Sequence, residues 1–172
     1  KKNNKILIYG FGGVGLSSFV ACKILGIKNI TIIDSSEQKL RYAKKIGAKF
    51  TFNAMDPAIY EKINKITANK LFDIVIESAG KQETIESSFA LINKNTGKCY
   101  FASHPKKGKK IKIDPFELIC GKQIFGTWGG ETKPDRDIPF FVKKCNNKKI
   151  NLNIFFNKIY NLDNINKAVK DL

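Results

Sequence analysis

The sequence predicts an α/β fold, a doubly wound parallel sheet of about six strands with helices on both faces. Short β-branched or apolar runs alternate with helix-length segments along most of the 172 residues. Strands that alternate with helices in this way form parallel sheets covered on both sides. A glycine cluster follows the first apolar run directly, and 42% of the residues are hydrophobic, enough for a sizeable core. We therefore expect one domain of this class.

Six segments have the composition of strands. They are short, rich in Ile, Val, Phe, Tyr or Thr, and bounded by polar residues or glycine. In chain order they are Lys5–Tyr9, Asn29–Asp34, Lys49–Phe52, Phe72–Glu77, Lys98–Ser103 and Lys122–Trp128. The tail beyond Trp128 is more polar, and we expect it to hold a helix near Arg136–Cys145, a strand near Ile154–Tyr160 and a last helix.

Capping residues mark the starts of the helices. The first helix begins near Val14 and stops at Gly26. Ser35 with Gln38 three residues later is typical of a capping box that opens the second helix. A further helix is predicted over Gln82–Ile92. Two Asp-Pro pairs each supply an N-cap and a proline at the first helical position: Asp56-Pro57 and Asp114-Pro115.

The pattern G-x-G-x-x-G lies between the first strand and the first helix, at Gly10, Gly12 and Gly15. In a dinucleotide-binding turn, the first glycine permits the tight turn and the second lets the backbone approach a pyrophosphate. The third glycine lets the helix pack closely on the strand, and the helix start presents N–H groups to the phosphates. A plain strand–helix turn is the alternative. Because the required strand and helix flank the pattern, we interpret it as a Rossmann-type turn.

Asp34 ends the second predicted strand, 19 residues beyond Gly15. A carboxylate at this place accepts hydrogen bonds from the adenosine ribose and repels a 2′-phosphate, which favours NAD over NADP. The alternative role for Asp34 is an N-cap for the following helix. Methyltransferases also carry a glycine loop and an acidic residue here, but their loop is usually looser and they need no sixth parallel strand.

The net charge of +16 raises the question of nucleic acid, and we expect no such partner. Only two of the 31 basic residues are arginines, which nucleic-acid readers favour for bidentate contacts. The densest basic stretch, Lys106–Lys112, lacks interleaved aromatic residues for base stacking. We interpret this stretch as a solvated loop, with an anion-attracting rim as the alternative.

Four cysteines, at positions 22, 99, 120 and 145, form no C-x-x-C pair. Their spacing matches neither a zinc site nor a disulfide framework, so we expect four core residues in a reducing cytoplasm. The longest apolar runs fall short of the ~18 residues that span a membrane. The first residues do not resemble a signal peptide, and we expect no membrane contact.

The run ILIYGFGGVGLSSFVACKILGIKNITIIDSSEQKL resembles the coenzyme-binding domain of the zinc-type alcohol dehydrogenases, in the medium-chain dehydrogenase/reductase superfamily. The likeness includes Lys39, five residues after Asp34, and continues through KKIGAKFTFN, FDIVIESAG, GKCYFASHP and GKQIFGTWGG. The tail KINLNIFFNKIYNLDNINKAVKDL is similar to the family's return strand and helix. The resemblance thus covers nearly the whole chain.

The resemblance implies residues for each part of NAD, beside Gly10 and Gly15 of the turn. They are Gly12, Gly13 and Val14 at the pyrophosphate, Asp34 and Lys39 at the ribose, Ser78 and Ala79 on the adenine side, Ala102, Ser103 and His104 near the nicotinamide, and Thr127 and Trp128 with backbone groups for its carboxamide. His104 departs from the small apolar residue common in the family. As the single histidine it cannot belong to a multi-histidine zinc site, and a polar loop residue is the simpler interpretation.

In that family the zinc ligands and the proton-relay hydroxyl lie in an N-terminal catalytic domain, and nothing in this sequence matches them. The chain begins within the first strand and without an initiator Met. We therefore expect the coenzyme domain of a longer dehydrogenase, with residues 1–128 as the NAD-binding domain and 129–172 as a return segment. We expect zinc only in the other domain, and no catalytic or metal-binding residue in this chain.

The resemblance implies the NAD-binding domain of a zinc-dependent alcohol or polyol dehydrogenase, inactive on its own. One alternative is a zinc-free quinone or enoyl reductase of the same superfamily, but such enzymes generally prefer NADPH, against which Asp34 argues. Another is a non-catalytic NAD-sensing module, which would not need the tail beyond Trp128. The family pairs coenzyme domains through the last strand, so a homodimer through residues 122–128 is also implied.

Overall fold

The computed structural model describes residues 2–147, 150–156 and 158–171. Its six strands are β1 (Ile6–Tyr9), β2 (Ile30–Asp34), β3 (Phe50–Asn53), β4 (Ile74–Glu77), β5 (Lys98–Phe101) and β6 (Gln123–Gly126). They form one sheet in the order β3-β2-β1-β4-β5-β6, with every neighbouring pair parallel. This is the strand order of a Rossmann fold. The predicted fold class is confirmed.

Helices follow the strands along the chain. They are α1 (Gly13–Ile24), α2 (Glu37–Lys45), α3 (Ile59–Thr67), α4 (Gln82–Ala90), α5 (Pro115–Ile119), α6 (Pro134–Asn147) and α7 (Ile165–Lys170). Short 3₁₀-helices lie at Gly129–Glu131, Leu152–Phe155 and Leu162–Asn164. Within the described residues, none of the helices combines the length and the apolar character needed to cross a bilayer.

Hydrophobic cores lie on both faces of the sheet. Successive side chains of a strand point to opposite faces, and Ile6, Leu7 and Ile8 of β1 are all buried. One core joins β1 and β2 to α1 and α2 through Ile6, Ile8, Ile30, Ile32, Phe19 and Leu40. The other joins the sheet to α3 and α4 through Leu7, Ile33, Val75, Ile63 and Phe89. Continuous apolar strands are therefore needed because both faces are covered.

The capping predictions hold in part. Asp114 accepts a hydrogen bond from the Phe116 N–H at 2.8 Å and caps α5 as predicted. The Asp56 carboxylate accepts from the Ala58 N–H at 2.9 Å, but Ala58 is the N-cap of α3 and Pro57 precedes the helix, so the prediction for Asp56-Pro57 is wrong.

The capping box at Ser35 and Gln38 is wrong. Ser36 is the N-cap of α2, and its Oγ accepts from the Lys39 N–H. The Asp34 carboxylate binds the Ser36 N–H at 2.8 Å, which delays the start of the helix by one residue.

The return strand predicted near Ile154–Tyr160 is also wrong. The described part of this segment contains the 3₁₀-helix Leu152–Phe155 instead, and Asn157 lies outside the described residues. Ile154 packs on the core shared by β1, β2, α1 and α2, and its carbonyl accepts a 2.7 Å hydrogen bond from the Tyr42 hydroxyl. Tyr42 lies on α2, so this hydrogen bond joins the described part of the segment to a helix.

Three of the four cysteines are core residues as expected: Cys22, Cys99 and Cys145. Cys120 is exposed, which corrects the fourth expectation. It follows α5, a five-residue helix in which no residue is buried. All four thiols are free, and the lysine-rich loop 106–112 is exposed as predicted.

Candidate functional site

All strands point the same way, so the loops after β1, β2, β4, β5 and β6 meet at the carboxyl edge of the sheet. Strands β1 to β3 are added towards one edge of the sheet and β4 to β6 towards the other, so the order of the strands switches between the neighbours β1 and β4. Ligands of open α/β sheets bind at such a switch point. Asp34 is the last residue of β2, and every other residue predicted to bind the cofactor lies in one of these loops or in the first turn of the helix that follows.

Two glycines of the β1–α1 turn are enclosed. Gly10 has φ +91°, and a Cβ there would lie 2.9 Å from the Ala79 nitrogen in the loop after β4. A Cβ at Gly15 would lie 2.0 Å from the Gly10 carbonyl oxygen. Only glycine fits at these two positions, as the sequence pattern predicts.

The other two glycines of the turn face open space. A Cβ at Gly12 or Gly13 would meet no atom within 4 Å. Gly12 is the N-cap of α1, which has no acidic residue in its first turn, and Val14 is half exposed beside it. The first N–H groups of a helix have no partner within the helix. The turn thus offers backbone donors to an anion, with room for that anion to approach.

The Asp34 carboxylate is nearly buried beside this turn. Its Oδ2 accepts from the Phe11 N–H at 2.7 Å and its Oδ1 accepts from the Ser36 N–H. Ser36 caps α2, so the alternative role of Asp34 as the N-cap is wrong. Each carboxylate oxygen has a second lone pair for a ligand hydroxyl. The Lys39 ammonium lies 4.0 Å from Oδ2, on a half-exposed side chain.

Ser78 and Ala79, the residues predicted on the adenine side, lie against the glycine turn. The Ser78 hydroxyl lies 2.7 Å from the Gly10 carbonyl, to which it donates, and 3.2 Å from that of Tyr9. The Ala79 N–H donates to the Glu77 carboxylate at 2.8 Å. Their polar groups therefore hold the loop after β4 against the glycine turn.

Glu77 is the residue that sequence reasoning missed. It is the last residue of β4 and is fully buried. Its Oε1 accepts from the Ala79 and Gly80 N–H groups and from the Thr84 hydroxyl, at 2.7–2.9 Å. Its Oε2 accepts from the Ser103 hydroxyl in the loop after β5. An acidic residue at the carboxyl end of an apolar strand was the signal available in the sequence.

The loops after β5 and β6 line an open cavity of about 410 Å³. Its walls are Phe101, Ser103, His104, Pro105, Gly126, Thr127 and Trp128. The His104 and Trp128 rings meet edge to face with centroids 4.4 Å apart, and Trp128 is 82% exposed. The Thr127 N–H already donates to the Phe101 carbonyl at 3.1 Å. The chain itself therefore uses the N–H of Thr127, one of the backbone groups predicted for the carboxamide. Ala102 precedes this wall, and its N–H donates to the Glu77 carbonyl.

Within residues 2–147, 150–156 and 158–171, no cluster of three or more His, Cys, Asp or Glu side chains could hold a metal ion. Burial raises the pKa of the Cys22 thiol to about 11. Burial, with a contribution from the Glu77 charge, raises the pKa of Cys99 to about 12. Both thiols are protonated at neutral pH, and it is the thiolate that acts as ligand or nucleophile.

A family model described as zinc-binding dehydrogenase matches residues 13–144. Alcohol dehydrogenase 6 of Peromyscus maniculatus is 29% identical over 167 residues, which cover 95% of this chain and 44% of that protein. Alcohol dehydrogenase 1 of Solanum tuberosum is 29% identical over 169 residues, with 97% and 44% covered. The chain thus spans less than half the length of these curated relatives.

Solved structures also resemble the chain over less than half of their own length. Benzyl alcohol dehydrogenase of Acinetobacter calcoaceticus superposes with a TM-score of 0.88 at 28% identity, covering 99% of this chain and 47% of that one. A protein described as a zinc-binding dehydrogenase from Sinorhizobium meliloti 1021, bound to NADP, has a TM-score of 0.65 at 26% identity. That likeness covers 74% of this chain and 38% of the other.

Proposed function

The chain belongs to the zinc-binding dehydrogenase family, and from this premise we propose that it is the NAD-binding domain of a zinc-dependent alcohol or polyol dehydrogenase. The observation that carries the proposal is the open pair Gly12 and Gly13 at the start of α1, with Asp34 beside them. Both curated relatives described above are alcohol dehydrogenases. The alternatives, a quinone or enoyl reductase and a sensor module, are therefore not favoured.

The residues of the cleft fit a dinucleotide. Gly12, Gly13 and the N–H groups at the start of α1 would hold the pyrophosphate, because the space above them is open and the helix dipole favours an anion. Asp34 would accept from the adenosine ribose, and Lys39 lies within reach of the same hydroxyls. When bound, NAD supplies the hydride acceptor for alcohol oxidation.

The nicotinamide end would occupy the cavity between the loops after β5 and β6. Ser103 and His104 line one side of that cavity, and Thr127 and Trp128 line the other. These residues would orient the ring without breaking or forming bonds. Catalytic groups are expected outside the chain, which we propose is inactive alone.

We propose that residues 1–128 form the cofactor domain and that 129–172 lead towards a catalytic domain. Apolar side chains exposed beyond the sheet support this division, since a second domain would cover them: Ile138, Phe140, Phe141, Val142, Leu162 and Val169. The described residues provide no zinc site of their own. We therefore place the zinc ligands in that other domain, and the compartment in the cytoplasm, where free thiols such as these persist.

We also propose a homodimer through residues 122–128. β6 is an edge strand, and Phe125 and Trp128 expose apolar surface there. Unpaired apolar edges favour association with a second copy. Light scattering of the chain should give twice the monomer mass. A monomer at high concentration, with freely exchanging amides in β6, would count against this arrangement.

The cofactor proposal is tested by calorimetric titration of the chain with NAD⁺ and with NADP⁺. We expect NAD⁺ to bind more tightly, because the Asp34 carboxylate repels a 2′-phosphate. Tighter binding of NADP⁺ would contradict the assignment of Asp34, and absence of binding by both would contradict the proposed function itself.

A further inference from the structure

We propose that the buried charge of Glu77 biases the cofactor site towards the oxidised, positively charged nicotinamide. The inference rests on the proposed function, and it concerns a residue that makes no direct contact with the open cleft. Glu77 is a positioning residue by its hydrogen bonds, and its charge gives it a second effect on the cofactor.

Glu77 joins the loops on two sides of the cleft. Its Oε1 binds donors in the loop after β4 and the first turn of α4, while its Oε2 binds the Ser103 hydroxyl after β5. Ser103 in turn lines the cavity between the loops after β5 and β6. One hydroxyl group thus separates the carboxylate from the proposed nicotinamide site.

The charge is stabilised by neutral donors. Two N–H groups and two hydroxyls surround the carboxylate, and no lysine, arginine or histidine of the described residues lies within ion-pair distance of it. A buried carboxylate acts over a longer range than an exposed one, because little water screens it. The lysines of loop 106–112 are exposed, so solvent screens their opposing charge.

The field of Glu77 already acts on its neighbours in the sheet. After burial, it is the second cause that raises the pKa of the Cys99 thiol on β5. Behind burial and Tyr60, it also contributes to the raised pKa of Tyr9 on β1. In both cases the negative charge opposes formation of another anion. The same field favours a cation, and the nicotinamide is cationic only in NAD⁺.

Glutamine at position 77 separates charge from position. Its Oε1 can accept from the same three donors, and its Nε2 can donate to the Ser103 hydroxyl oxygen. Glu77→Gln therefore keeps the four hydrogen bonds and removes the charge. Glu77→Asp does the reverse, because it keeps the charge on a shorter side chain.

The test compares the dissociation constants of NAD⁺ and NADH for the chain, measured by calorimetry. We expect Glu77→Gln to weaken NAD⁺ binding more than NADH binding. The dissociation constant of NAD⁺ divided by that of NADH should therefore rise about tenfold, the order that one buried charge produces. Glu83→Gln removes an exposed charge from the start of the same helix α4 and should leave the ratio unchanged. Glu77→Asp should weaken both forms and retain the ratio.

Each outcome separates the two proposals. An unchanged ratio in a folded Glu77→Gln variant, or equal loss of both forms, would overturn the charge effect and leave Glu77 as a structural residue. If Glu77→Gln does not fold, Glu77→Asp decides, since a ratio shifted about tenfold in a variant that keeps the charge would contradict the proposal. If the unsubstituted chain binds neither NAD⁺ nor NADH, the proposed function fails instead.

Discussion

The glycine turn after β1 and the loops after β5 and β6 lie at the same edge of the sheet, yet they are held differently. In the turn, Gly10 and Gly15 leave no room for a side chain, and the Ser78 hydroxyl donates to the Gly10 carbonyl. The other end is an open cavity in which the His104 and Trp128 rings meet edge to face. Substitutions in the first region should thus change folding or binding strongly, and substitutions in the second should change binding modestly.

The largest effect is expected at Gly15. Glycine-to-alanine there places a Cβ 2.0 Å from a backbone carbonyl that cannot move without disturbing β1. Gly15→Ala should lower the free energy of unfolding by about 3 kcal/mol. Urea unfolding measures the loss, with Gly13→Ala as the matched control in open space. Equal midpoints for the two variants would show that the turn is not closed at Gly15.

Gly12 tests the open half of the same turn. Gly12→Val adds a side chain where no atom lies within 4 Å, at a φ of −84° that valine can adopt. The fold should survive, while NAD⁺ affinity should fall about a hundredfold because the side chain fills the phosphate space. Calorimetry measures the NAD⁺ affinity of the variant, and urea unfolding measures its stability. Unaltered affinity would contradict the placement of the pyrophosphate at Gly12.

The expected effect of substituting Asp34 is smaller than that at the glycine turn and larger than that in the open cavity. Asp34→Ala should weaken NAD⁺ binding about ten- to a hundredfold, since a hydrogen bond to a charged group contributes about 1.5–3 kcal/mol. The variant also loses the bonds to Phe11 and Ser36. The decisive readout is therefore the NADP⁺-to-NAD⁺ affinity ratio, which a general loss of stability does not move. A ratio equal to that of the unsubstituted chain would contradict the ribose assignment.

The smallest change concerns the open cavity. Trp128 is the single tryptophan of the chain, so its fluorescence reports on this end of the cleft alone. NADH should quench that emission, because the nicotinamide would lie beside the ring. Trp128→Phe should abolish the signal while calorimetry still detects binding within about fivefold. If calorimetry shows that NADH saturates the chain and the emission is unchanged, the placement of the nicotinamide beside Trp128 is contradicted.

Much of the cleft was predictable because its signals are local. The glycine spacing, the Asp114-Pro115 cap and the apolar strands each depend on conformational preferences within a few residues. Gly10 and Gly15 are closed in the structure and Asp34 ends β2, as the pattern predicts. Predictions that required long-range packing did worse. The tail near Ile154 has the composition of a strand, but its described part forms a 3₁₀-helix that packs on the core shared by β1, β2, α1 and α2.

Local patterns in the sequence by themselves determined the fold class and the dinucleotide-binding turn, because these follow from periodicity, turn chemistry and motif spacing. The resemblance of the sequence motifs indicated the family. The tertiary structure alone decided that Ser36 caps α2, that Cys120 is exposed and that Glu77 unites the loops after β4 and β5. The physical reason is that a hydrogen bond between residues 77 and 103 exists only once β4 and β5 lie side by side. Nothing near either residue in the sequence encodes that contact.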